Sequence, residues 1–349
     1  MLWNSSIRNT VVTTPISSEA RVETMQISAQ RPNVAAPRPQ RASADSSKSA
    51  DVPVNQDRLL DTFMDLVTIA GPTRDERKVA DNIKAKLADM GLQANEDDAG
   101  PKIEGNTGNL LVNIPGNVEG APSLMFASHM DTVPLAVGCE PIRDGDIIKT
   151  DGSTALGADC RAGCTELLEA TQEILENNLP HGPIQLMFSV GEEGGLLGAY
   201  EFDKSKIHSE YVYAVDGFAP NEIYVQGRHL MADGERPTAE DIQAGHRAMQ
   251  HLPINPPPFT QLTAEEKKIL DFTGGAMQDL GWEPKFHRIW FAASDANAFR
   301  DAGVNAITLG AGENNDHTGE EFVRISEMVK TTQLIKQLVA NAAASAEKS

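Results

Sequence analysis

The sequence predicts an α/β fold, a mostly parallel sheet with helices on both faces. Three observations point there. Segments such as SLMFAS (123–128), IQLMFSV (184–190) and YVYAV (211–215) are apolar almost throughout, without the alternation of a strand wetted on one side. They alternate with longer segments whose apolar residues recur at helical spacing. Acidic or imidazole side chains follow directly on these runs, and sheets of this kind bind ligands beyond the carboxyl ends of their strands.

Taken in order, residues 1–52 carry Ser, Thr, Pro, Gln and scattered Arg without sustained periodicity, so a disordered tail is expected there. One large domain is expected over 53–349. QDRLLDTFMDLVTIA (56–70) has helical spacing, and GPTRDE opens a second helix that runs to Met90, with Val79, Ile83, Leu87 and Met90 on one face and Gly91 ending it. NLLVNI (109–114) and SLMFAS predict strands, 161–177 a helix, and 184–190, 211–215 and 305–309 further strands. Helices are expected over 263–280 and 321–342, with a strand around 286–292 between them.

Composition narrows the function. Fifty acidic against 30 basic residues give a formal charge of −20, which argues against nucleic acid and anionic membranes as partners and suits divalent cations. Three cysteines are too few for a disulfide framework, so a reducing, cytoplasmic setting is expected. No apolar run approaches the ~20 residues of a membrane span.

The strand ends carry the chemistry. SLMFAS is followed by His129 and Asp131, IQLMFSV by Gly191, Glu192 and Glu193, and YVYAV by Asp216; TDGSTALGADCRAG places Asp159 just before a helix, and NAITLGAG leads to His317. Singly, each has an ordinary reading as a turn or core residue. Together, imidazoles and carboxylates without a cysteine quartet suit zinc or another divalent first-row metal rather than a structural zinc. His129 and Asp131, two apart on an extended strand end, point the same way, so Asp131 can accept the second imidazole N–H and fix the tautomer. Two divalent cations, the carboxylates of Asp159, Glu193 and Asp216, and one bridging hydroxide sum to a neutral centre. One glutamate of GEEGG is then expected to be a ligand and its neighbour a general base.

HMDTVP, LGADCRAG, GEEGGLLGA, VDG, SDANAFRDAGV and DHTGEE, in this order and spacing, resemble the motifs of the co-catalytic zinc peptidases related to peptidase T, carboxypeptidase G and aminoacylase, with the tripeptidase T-like branch the most similar. The resemblance covers residues 55–345. It implies that His129 and Asp216 hold one metal, Glu193 and His317 the other, and that Asp159 bridges both. It further implies that Glu192 is the catalytic base and Asp131 the carboxylate that orients His129. The implied cofactors are two divalent ions, zinc first, with cobalt or manganese as alternatives, and the implied partner is a short peptide substrate.

Two departures stand out. Cys160 follows the bridging Asp where relatives often carry an acid or amide, and Ala292-Ala293 replaces a Gly-Gly pair. More important, the family inserts a lid domain that carries the dimer contact and a histidine, yet Asp216 and His317 are only 101 positions apart here. Residues 221–262, with AEDIQAGHRAMQHL, PINPPPF and the histidines 229, 246 and 251, are too few for an independent domain. A missing or vestigial lid and no lid-mediated dimer are therefore expected. The functional expectation is a zinc aminopeptidase of short peptides. Alternatives are an N-acyl amino acid deacylase and a catalytically weak metal- or peptide-binding remnant. Arg161, Arg288 and Arg300 are candidates to bind a substrate carboxylate.

Overall fold

The computed structural model describes residues 52–226, 262–289 and 293–346. The chain forms helices α1 (Gln56–Thr68) and α2 (Arg77–Asp89), β1 (Asn95–Glu96), the short helix α3 (Ala99–Lys102), β2 (Leu110–Ile114), β3 (Leu124–His129), β4 (Ile142–Asp144) and β5 (Ile147–Lys149). Then come α4 (Ala158–Glu176), β6 (Ile184–Ser189), α5 (Leu197–Glu201), β7 (Tyr211–Val215) and β8 (Glu222–Gln226). The last stretch holds α6 (Ala264–Asp279), β9 (Lys285–Ile289), α7 (Asp295–Asp301), β10 (Ala306–Leu309), β11 (Glu313–Asn314), β12 (Phe322–Arg324) and α8 (Ile325–Ser345).

Among the described residues, eight strands form the central sheet in the order β1-β2-β6-β3-β7-β10-β8-β9. Its centre, β6-β3-β7-β10, is parallel, as is β8-β9, while β1-β2, β2-β6 and β10-β8 are antiparallel. The register decides where the site forms. His129 is level with Ser189, Ala127 with Ala214, and Leu309 with Val215, so β3, β6, β7 and β10 all end along one edge.

The apolar runs are explained by burial on both faces. Phe126, Leu186, Phe188, Tyr213 and Val215 join the larger core with α1, α2, α4, α6 and α8, whereas Met125, Ala127, Met187, Val212 and Ala214 face a second core with α5 and α7. Three of the helices start at a side-chain cap. Asn55 accepts from the Arg58 N–H, and Thr263 with Glu266 and Ser294 with Asn297 form reciprocal capping boxes. Helix α4 lies so close to the sheet that a β-carbon on Gly163 would stand 2.3 Å from the Val215 carbonyl oxygen and 2.6 Å from Ser128 Oγ.

Some boundaries differ from expectation. The helix expected over 321–342 begins only at Ile325, because Phe322–Arg324 pair with β5. This belongs to a small second sheet, β11-β12-β5-β4, whose strands of two or three residues carry little periodicity. β8, at the start of the expected connection 221–262, is a strand of the central sheet, while residues 227–261 lie outside the described residues. So does the expected tail up to residue 51; Val52, assigned to the tail, packs against the core.

A buried ion pair fastens this beginning. Lys336 of α8 bonds Glu173 of α4 and donates to the Val52 carbonyl at 2.7 Å, while the Asn55 N–H donates to the other Glu173 oxygen at 2.6 Å. Both charged side chains are almost wholly buried, so removing one partner strands the other. Lys336→Met is expected to cost about 3–5 kcal/mol, read as a lower urea midpoint at unchanged slope, and Lys336→Met with Glu173→Leu to recover most of it.

Candidate metal centre

The common strand edge brings all seven expected residues together. His129 closes β3 and Asp131 follows it; Glu192 and Glu193 follow β6; Asp216 follows β7; His317 lies beyond β11. Asp159 sits at the start of α4, where its backbone (φ −78, ψ 106) and that of Cys160 are not helical, so its side chain leaves the helix axis toward the sheet edge. One Asp159 oxygen is 2.9 Å from His129 Nε2 and the other 2.9 Å from His317 Nε2. Asp216 Oδ1 lies 3.6 Å from His129 Nε2, and Glu193 Oε2 lies 2.9 Å from His317 Nε2. Two donor groups result, sharing Asp159: His129 with Asp216, and His317 with Glu193.

The neighbouring glutamates diverge. Glu193 turns to His317, whereas Glu192 Oε2 stays 3.9 Å from His129 Nε2, beside the first group. Their backbone is held from beneath. The Glu192 and Glu193 N–H groups donate to the two oxygens of Asp131 at 3.0 and 3.1 Å, and the Gly191 N–H donates to Glu76 at 3.0 Å. Thr73 donates to Asp131 as well, at 2.7 Å. Asp131 Oδ1 is 3.3 Å from His129 Nδ1, and the Asp131 carbonyl oxygen is 3.0 Å from the same nitrogen. One buried carboxylate thus supports both an imidazole and the loop bearing the glutamate pair.

The electrostatics follow from burial and crowding. Burial pushes Glu192 well above the ordinary carboxylate range, with the charges of Asp216, Glu193 and Asp295 adding to it. Glu193 is pushed up to about 7, first by burial and then by Asp159. Burial works against the charged form of Asp159 too, but its bonds to His129 and His317 win and hold its pKa low. Burial likewise opposes protonation of His317, yet bonds to Asp159 and Glu193 lift it to about 12. His129 is raised in the same way, against burial, chiefly by Asp216 and then by Asp131 and Asp159. Glu193 Oε1 is buried with no hydrogen-bond partner among the described residues. A crowd of carboxylates, two imidazoles and an unpartnered buried oxygen fit divalent cations.

Other residues enter this neighbourhood. The donor atoms of Asp159, Asp316 and His317 lie within 4.8 Å of one another, as do those of His129, Asp159, Cys160 and Asp216. The Cys160 thiol donates to the Val215 carbonyl at 2.9 Å and accepts from Ser128 at 3.1 Å, and burial raises its pKa, so it is a packed thiol rather than a thiolate. Sequence reasoning passed over Glu76, Thr73, Asp316 and Glu321; the first two lie in GPTRDE and the last two in DHTGEE, where only the histidine drew notice. Two carboxylate-binding candidates fall away. Arg161 is fully buried and donates to the Leu66 carbonyl, and Arg300 is paired with Glu266 beneath β10. The Arg288 side chain and histidines 229, 246 and 251 lie outside the described residues.

Comparison with known proteins supplies the family and the fold. A family described as Peptidase family M20/M25/M40 matches residues 125–341. The uncharacterized protein YqjE of Bacillus subtilis is 26% identical over 83% of this chain and 100% of its own length. Peptidase T of Salmonella arizonae is 30% identical over 48% of this chain, which spans only 50% of that protein. Among solved structures, aminopeptidase PepT from Bacillus cereus superposes with a TM-score of 0.69 at 25% identity, covering 83% of this chain and 99% of its own. A Staphylococcus aureus tripeptidase gives 0.70 at 24% identity, covering 84% and 100%.

With their raised pKa values, His129 and His317 carry protons at neutral pH when no cation is bound, and a metal takes the neutral imidazole. Metal uptake is therefore expected to release at least two protons per chain, more where the raised carboxyls also give theirs up, and to tighten as pH rises, by about tenfold per pH unit for each proton released. Titration calorimetry in two buffers of different ionisation enthalpy gives the count. Heats independent of buffer would contradict this charge assignment.

Proposed function

The chain belongs to peptidase family M20/M25/M40, and from that premise we propose that it cleaves short peptides at the amino-terminal end, as a two-metal exopeptidase of the tripeptidase T-like kind. The observation that carries the reading is Asp159, one oxygen toward His129 and the other toward His317, with Glu192 3.9 Å from His129 Nε2 while its neighbour Glu193 pairs with His317. In this reading His129, Asp159 and Asp216 hold one ion, and Asp159, Glu193 and His317 the other. The ions, zinc first, supply Lewis acidity that makes water acidic at neutral pH and polarises the scissile carbonyl. Glu192 takes a proton from the attacking water as its oxygen bonds the carbonyl carbon, then delivers it to the amine nitrogen as the C–N bond breaks. Asp131 keeps His129 in one tautomer and the glutamate loop in place.

Carboxylates around the site, Asp316 among them, favour a free substrate ammonium over an acylated nitrogen, which ranks peptides above N-acyl amino acids. The same reading includes catalysis without a lid domain or lid-mediated dimer. The shortened connection is supported by the 101 positions between Asp216 and His317, and by the 373-position alignment to YqjE, which takes in all of that protein but only 83% of this chain. A cytoplasmic setting is supported by three buried, unpaired cysteines, and no described helix is long and apolar enough to cross a membrane.

Glu192→Gln is expected to keep its metal content and to lose about 10²–10⁴ in rate on a tripeptide. Glu193→Gln is expected instead to bind metal weakly; exchanged phenotypes would exchange the two roles. A panel of dipeptides, tripeptides and N-acyl amino acids separates peptidase from deacylase, and no turnover of any by the metal-loaded chain would favour the non-catalytic remnant. Light scattering is expected to report a monomer. A dimer that dissociates when residues 229–258 are deleted would show that this segment does the work of a lid.

A further inference from the structure

Glu321 lies four residues beyond His317, at the join between the histidine loop and β12. Its side chain is buried, and both oxygens reach across to the start of α4, where the Gly157 N–H donates to Oε2 at 2.8 Å and the Asp159 N–H to Oε1 at 3.1 Å. Helix α4 needs such help. Its N-cap, Gly157, has φ 73 and offers no side chain, so the amides at the helix start have no local acceptor. A carboxylate more than 160 residues away fills that gap. With both oxygens committed to backbone N–H groups, Glu321 is poorly placed to be a ligand.

The two donor groups of the site are not anchored alike. His129 and Asp216 follow adjacent parallel strands in the middle of the central sheet, β3 and β7. Asp159 and His317 come from loops. Asp159 has non-helical backbone angles, and His317 has φ 63 and a side chain 47% exposed. The histidine loop is wound on itself, with Thr318 Oγ1 donating to the Asn315 carbonyl and the Glu321 N–H donating to the Thr318 carbonyl at 3.2 Å. Its tie to the Asp159 backbone is the Glu321 carboxylate.

From this geometry we infer that Glu321 is a positioning residue that sets the spacing between Asp159 and His317, and so governs occupancy of the second metal position while leaving the first largely intact. The inference rests on the two-metal reading above. If the tie is lost, the first group has one donor loosened, Asp159, while His129 and Asp216 stay on the sheet, whereas the second has two loosened, Asp159 and His317. A mere helix cap would behave differently: its loss would lower stability without separating the two metal affinities.

The test is stepwise zinc titration of the metal-free chain against a competing chelator, with folding followed by circular dichroism. The wild type is expected to take two equivalents. Glu321→Ala is expected to take the first close to wild type and the second roughly 10- to 100-fold more weakly, the range for losing a residue that orients a ligand. Glu321→Gln keeps one acceptor oxygen and is expected to fall between the two; it also stands in should the alanine variant fail to fold. Cobalt added in place of zinc gives an independent readout, with the absorption of the second equivalent lost first in Glu321→Ala. Two steps weakened alike, or a Glu321→Gln titration that overlays the wild type, would overturn the inference. A wild type that binds one equivalent would overturn the two-metal reading itself, and this inference with it, before any variant is compared.

Discussion

Everything in the crevice depends on a carboxylate that must face two ways. Asp159 can do so because the chain leaves helical geometry where it enters α4, and because both neighbouring imidazoles approach it at hydrogen-bond distance. That arrangement concentrates negative charge. Asp159, Glu193, Asp216 and Glu192 converge, with Glu313 and Asp295 buried behind them, and two imidazoles cannot balance six carboxyls. Burial first, and this imbalance after it, raises the pKa values of Glu192, Glu193 and Asp295, so the metal-free protein holds protons where the charge count of a loaded centre needs none.

The second constraint is the separation of two adjacent glutamates. Neighbours in sequence normally share an environment, but the turn after β6 places Gly191 at φ 67 and spends three successive N–H groups on Glu76 and Asp131. With the backbone fixed in this way, the two side chains leave in different directions, one toward His317 and one toward His129. The burial of Asp131, which accepts from Thr73 and both glutamate amides, shows why its place in HMDTVP is as demanding as that of the histidine before it.

Much of this was legible in the sequence, for a physical reason. A strand buried on both faces has to be apolar, so the residue that ends the run, such as His129 or Asp216, marks the sheet edge without any coordinates. The support beneath the site left no such mark. Glu76 and Glu321 act on backbone N–H groups 115 and 164 positions away, and nothing local distinguishes them from solvated glutamates. Glu321 even read as the first residue of a helix, because the three-residue strand after it is too short to show periodicity. Arg161 looked available for substrate because charge suggests exposure; its burial follows from the tertiary contact with α1 alone.

Gly163 sets the clearance on which the arrangement rests. It lies four residues along α4 from Asp159, and no side chain fits between it and the Val215 carbonyl. A helix moves as a stiff rod, so one added methyl would displace Asp159, whose carboxylate lies between the two imidazoles, together with the backbone that carries it. Helix α4 is buried on nearly every side over its first three turns, and at this position there is room for hydrogen alone. The fidelity of a centre made of large, charged side chains is thus calibrated by the absence of one.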